Sequence, residues 1–247
     1  MMQKYTNFEA LTALASPKMI YLVPLLAVLA GYAVANFLKP KNKKTVKLML
    51  AFSGSFLLAL TTVHLLPDVY GGHLEEDHQI LPNIGLYIMA GIVIQIVLEY
   101  FSQGAEHGHV HQQNHHHYIP WLLFISLCLH AFLEGFPVSR HSELAWGIAI
   151  HHFPIAIILT VFFDQAKIPK GVLLALMVIF ALATPLGTYI SSSVAMLGKY
   201  HHQISAVVVG MLFHISSTII FESNEGHKFN IGKLLAILSG IAVAVLL

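Results

Sequence analysis

An all-α integral membrane protein, a bundle of eight transmembrane helices, is the fold class predicted by three features of the sequence. The composition is the first. Of 247 residues, 56% are hydrophobic and 10% charged, and the mean hydropathy is +0.71. A water-soluble domain needs far more charge to solvate its surface. The second is that the apolar residues gather into runs long enough to cross about 30 Å of hydrocarbon, which takes roughly 20 residues each. The third is that the connections are short, so residues 1–247 form one transmembrane domain with no room for a separate soluble one.

Taken in order, the predicted spans cover Met19–Leu38, Val46–Leu66, Ile80–Phe101, Ile119–Val138, Leu144–Phe163, Val172–Ser192, Ile204–Phe221 and Ile231–Leu247. The segment before Met19 lacks the basic start, apolar run and small-residue site of a cleaved signal peptide, so the first span is expected to serve as an uncleaved signal. Orientation follows from the basic residues in the loops. Lys39, Lys41, Lys43, Lys44, Lys47, Lys167, Lys170, Lys228 and Lys233 fall on one side, and Lys4, Lys18, Arg140 and Lys199 on the other. The richer side is expected to be cytoplasmic, which leaves both termini outside a plasma or inner membrane.

Several function classes drop out on composition. With 13 Lys and Arg against 12 Asp and Glu, no basic field or motif for nucleic acid exists. The single cysteine, Cys128, excludes a disulfide framework within the chain and any cysteine-based zinc site. The 17 histidines are far more than an ordinary share. Six of them, His107, His109, His111, His115, His116 and His117, lie in a polar loop at 104–118 that is expected to be cytoplasmic. Such a tract either binds divalent metals weakly or is a solvated loop without function.

The informative ionisable residues lie inside the spans, where each costs at least roughly 2.5–3.5 kcal/mol and so needs a partner or a pathway. In span four, His130 sits near the midplane, and Glu134, four residues on, shares its helical face. An imidazole and a carboxylate at one point suit zinc, manganese, iron or cobalt. Gly135 beside them lets another helix approach. In span five, His151 and His152 lie a third to half way in, ahead of Pro154. Adjacent histidines point about 100° apart. His151 is therefore expected to meet the His130/Glu134 face and His152 to point to a second position. In span two, His64 and Asp68 are spaced i,i+4 around Pro67, where an acid at the outer mouth could collect cations or a helix could simply end. Glu99 in span three, next to Gln95 one turn before, and His214 and Glu222 in span seven read equally as pathway groups or as capping and interfacial ones.

These residues, in this order, resemble the ZIP family (Zrt-, Irt-like proteins) of divalent metal transporters. Members have eight spans with both termini outside and a histidine-rich cytoplasmic loop after span three. Their span four carries a motif close to HNxxEG, here His130-Ala131-Phe132-Leu133-Glu134-Gly135. Their span five carries a His or Gln with Pro three residues on, here His151-His152-Phe153-Pro154. His64-Leu65-Leu66-Pro67-Asp68 and Ala183-Thr184-Pro185-Leu186-Gly187 are similar to further signatures. The resemblance implies a metal centre between spans four and five, with His130, Glu134 and His151 as principal ligands and His152 near a second position. Ile155, Ala131 and Thr184 stand where many or some relatives place ligands, so a mononuclear site, or one that relies on water and His152, is expected.

The expected function is therefore secondary transport of divalent cations toward the cytoplasm, most of all zinc, with iron, manganese and cadmium as other candidates. It needs no enzymatic activity and no prosthetic group, and the metal is the substrate. No ATP-binding motif is present, so a gradient would drive it. The expected partners are the metal ions and membrane lipid, with a homodimer as an allowed assembly. The alternatives are a membrane-embedded zinc-dependent hydrolase, which would need Glu134 as a general base rather than a ligand, and a haem or di-iron redox protein using His130, His151 and His214.

Overall fold

A computed structural model describes residues 21–38, 43–71, 83–102, 119–222 and 231–246. Every regular element among them is helical. Helix α1 is Val23–Leu38. Helix α2 is a continuous rod made of Lys43–Leu60, a single π-turn Thr61–Leu65 and a last stretch Leu66–Gly71. Then follow α3 (Ile84–Ser102), α4 (Trp121–Val138), α5 (Ser142–Gln165), α6 (Lys170–Ser193), the one-turn α7 (Ala195–Lys199), α8 (His201–Glu222) and α9 (Ile231–Leu246). Six of these, α2 to α6 and α8, are long and apolar enough to cross a membrane, whereas α1 and α9 are apolar but shorter. The eight predicted runs thus all become helices in the described residues, but length supports spanning for six. The third run starts later than expected, at Ile84 instead of Ile80.

The outward surface is apolar, as hydrocarbon requires. Leu86, Met89, Val93, Ile96 and Tyr100 of α3 are all largely exposed, and in water such a stripe would be an aggregation liability. Polar side chains turn inward. Ser53, Thr61, Gln95, Thr184, Thr188 and Ser216 are each at most 1% exposed. The hydroxyls among them bond to the carbonyls of the preceding turn or of a facing helix, such as Thr61 to Leu57 and Thr188 to Gly135.

Lipid is as apolar as leucine, so helices associate in it through close packing, with small residues at the contact. The four closest helix pairs are α1 with α5, α2 with α9, α3 with α8 and α4 with α6. Each is built on glycine. A Cβ added at Gly31 would meet the Phe153 carbonyl, at Gly91 the Val207 carbonyl, at Gly135 the Thr184 carbonyl and at Gly240 the Phe52 carbonyl. None of these pairs joins neighbours in the chain. The pairs assemble into two groups with separate cores. One core runs through Val28, Leu127, Ile155, Phe163 and Phe180 of α1, α4, α5 and α6. The other runs through Phe56, Leu60, Ile84, Val209 and Ala244 of α2, α3, α8 and α9. The end of α4 and the start of α5 break the division, because Val138, Leu144, Ala145 and Ile148 pack into the second core.

Pro67 accounts for the π-turn of α2. Its missing N–H and bulky ring deny the Val63 carbonyl its usual partner, and the helix widens just before it. The Leu66 N–H then reaches the Thr61 carbonyl, five residues back. His64 sits within this widened turn. Lys233, counted above with the cytoplasmic loops, lies in the first turn of α9. It donates from Nζ to the Ile220 carbonyl at 2.7 Å, a cation capping the last turn of α8.

Candidate metal centre

Helices α4 and α5 make little direct contact, because each packs against another partner, α6 and α1 respectively. The residual space between them is filled by four ionisable side chains. His130 and Glu134 project from one face of α4, and His151 and His152 from α5. All four are at most 1% exposed. One ligand atom from each of His130, Glu134 and His151 lies within 4.8 Å of the other two.

Glu134 is the hub. Its Oε1 is 3.1 Å from His130 Nε2, and its Oε2 is 2.9 Å from His152 Nε2. His152 therefore does not point away to a separate position, as its offset around the helix predicts; it takes the second oxygen of the shared carboxylate. Its ring also lies against Phe180, with centroids 5.4 Å apart. The His151 ring stands edge-on to that of His130, at 6.4 Å and 80°.

Gln95 of α3, fully buried, completes the arrangement. Its Oε1 lies 3.1 Å from His130 Nδ1. A neutral His130 donating from Nδ1 to this amide turns the lone pair of Nε2 toward Glu134 Oε1. Two lone pairs 3.1 Å apart in a dry interior repel unless a proton or a metal ion lies between them. The donor set, two imidazole nitrogens and a carboxylate with a third imidazole behind it, is that of a zinc-type site, and Gln95 orients its first ligand as outer-shell groups do.

The neighbouring positions explain why a second ion would find few ligands here. Ile155 and Ala131 are buried among apolar side chains of the first core. The Thr184 hydroxyl is spent on the Ala131 carbonyl at 3.0 Å, and Gly187 and Gly135 let α6 close on α4 at this level.

The other predicted residues divide between the two ends of the bundle. His64 and Asp68 do not pair with each other. Asp68 Oδ2 lies 3.2 Å from His141 Nε2 in the α4–α5 turn, and His64 keeps a buried Nε2 without a hydrogen-bond partner. His141 also places Nδ1 3.3 Å from Glu143 Oε1. That hydrogen bond, with the Asp68 carboxylate beside it, holds His141 above its ordinary imidazole pKa in spite of desolvation. At the far end, the side chains of Glu99 of α3 and His214 of α8 are hydrogen-bonded. It adjoins a cavity of about 410 Å³ lined by Ile92, Phe213, Ser217, Thr218 and Phe221. The side chain of Glu222 and all of His107, His109, His111, His115, His116 and His117 lie outside the described residues. Sequence reasoning passed over Gln95, His141 and His201. Gln95 had been noted only as a neighbour of Glu99, and the two histidines flank span ends on the same side as Asp68.

Buried His and Glu side chains gathered inside an apolar helical bundle form a group that could hold a divalent cation within a membrane. A family model described as ZIP Zinc transporter matches residues 11–119, and this supports assigning the chain to the ZIP family. That family transports divalent metals, zinc included. The match ends before α4, so the buried cluster is additional to it. No curated protein matches the chain.

Proposed function

We propose that the chain carries divalent cations, zinc above all, toward the cytoplasm through a site formed by His130, Glu134 and His151 between α4 and α5, with His152 bracing Glu134. One observation carries this reading: three metal-ligating atoms within 4.8 Å of one another on side chains at most 1% exposed, where charge without a partner is costly. Three protein ligands leave room for water and for release, which transport needs. Iron, manganese and cadmium share enough of this ligand preference to compete.

In this reading all eight apolar helices span, α1 and α9 by local thinning of the bilayer, with both termini outside a plasma or inner membrane. Asp68 and His64 serve the outer mouth. Glu99 and His214 receive the ion at the inner end, with Glu222 and the histidine loop beyond. The site moves with the α1/α4/α5/α6 group against the α2/α3/α8/α9 group, driven by an ion gradient. The close helix pairs, each of which lies within one group, favour such a movement. The hydrolase alternative needs Glu134 free to act as a base, whereas its Oε2 lies 2.9 Å from His152 Nε2.

The test is zinc, iron, manganese and cadmium uptake into proteoliposomes by wild type, His130→Ala and Glu134→Ala. Uptake by wild type that falls at least tenfold in both variants is expected. Variants that transport as well as wild type would sink the assignment.

A further inference from the structure

A second set of metal-ligating side chains lies at the end of the bundle that bears the α4–α5 turn. Asp68 comes from the last turn of α2, His141 from the position preceding α5 and His201 from the first residue of α8. One ligand atom from each lies within 4.8 Å of the other two. The separation of Asp68 Oδ2 and His141 Nε2, 3.2 Å, is near the distance of about 3.3 Å between two donors each roughly 2.0–2.1 Å from a tetrahedral ion. The other nitrogen of His141 faces Glu143 Oε1 at 3.3 Å, the outer-shell carboxylate that typically fixes a ligating imidazole. The His141 and His201 rings stack nearly parallel, 16° apart in plane and 6.3 Å between centroids. His201, 5% exposed, also places Nε2 3.4 Å from Ser205 Oγ. Arg140, next in the chain to His141, and Lys199, two residues before His201, bring positive charge to this end, against the carboxylates of Asp68 and Glu143.

We propose that Asp68, His141 and His201 form a second divalent-cation site, of mixed imidazole and carboxylate donors, that ties the α4–α5 turn to the α2/α8 group. The ligands come from both helix groups, so the complete set exists only while the turn is docked as seen here. An ion bound at this point therefore holds that end of the two groups together. The consequence for transport rests on the function proposed above, whereas binding of the ion does not.

The test is equilibrium Zn2+ binding to the purified full-length chain in detergent, counted as equivalents per chain. Wild type, D68N, H201Q, E134Q and the E134Q/H201Q double variant are compared, and the histidine loop contributes the same background to all five. D68N and H201Q are each expected to lose one equivalent, and E134Q/H201Q to lose one more than E134Q. The rise in melting temperature that Zn2+ gives to E134Q should shrink in E134Q/H201Q. Full wild-type stoichiometry in monodisperse D68N and H201Q would overturn the proposal. If E134Q alone keeps its full complement, the central assignment fails, while a loss in H201Q still supports the second site.

Discussion

At the residue scale, a buried carboxylate inside a membrane is tolerable only when its charge is answered. Glu134 Oε2 faces His152 Nε2 at 2.9 Å, and a proton or a metal ion between Oε1 and the Nε2 of His130, which Gln95 orients, answers the charge at the other oxygen. Gln95→Leu keeps the volume but removes the acceptor. It is expected to raise the KM for zinc by about 10–100-fold, the usual cost of losing an outer-shell partner, with monodispersity unchanged; an unaltered KM would show that Gln95 does not orient the ligand. His141 makes a separate prediction for metal-free protein. Its pKa is raised by Glu143 and Asp68, so its ion pairs add stability that is complete below the ordinary imidazole value near 6.5 and is lost as pH rises through the raised folded value. In EDTA, the melting temperature of His141→Gln should therefore lie further below wild type at pH 6 than at pH 9. A gap independent of pH would mean that the charge of His141 contributes nothing.

At the element scale, the decisive devices are glycines and one proline. Gly135 and Gly187 bring the backbones of α4 and α6 together, which sets the angle at which His130 and Glu134 leave α4. Gly135→Val would drive a branched side chain into the Thr184 carbonyl. Overpacking of this kind costs about 1–3 kcal/mol, and here it should also displace the site. The expected outcome is a lower melting temperature together with loss of uptake. Normal uptake at normal stability would show that the close approach is dispensable. The π-turn before Pro67 likewise decides where His64 points, since removing one residue from the widened turn would rotate it by about 100°.

At the scale of the whole molecule, the close helix pairs all lie within one group or the other, and the Leu60–Gly147 contact between α2 and α5 crosses between them. A cysteine pair at Leu60 and Gly147, once oxidised, is expected to stop zinc uptake reversibly. A pair at Ser139 and Ser191, whose hydroxyl oxygens lie 3.4 Å apart within the first group, should leave it running. Arrest by both pairs, or by neither, would refute movement of one group against the other.

Sequence alone determined that this chain is helical and built for lipid, because apolar runs and scarce charge leave no other way to satisfy the backbone. It also singled out His130, Glu134 and His151 as candidates for one site, with His152 beside them, because they lie at close spacings on adjacent spans. Tertiary structure decided the rest. Helical periodicity says which face a residue occupies but not which helix covers that face. Gln95, 35 positions from His130, and His141, 73 from Asp68, became neighbours only when glycine contacts paired helices distant in the chain. For the same reason His152 reached Glu134 instead of a separate position: where α4 and α5 lie relative to each other is set by α6 and α1, and no local pattern in either helix records it.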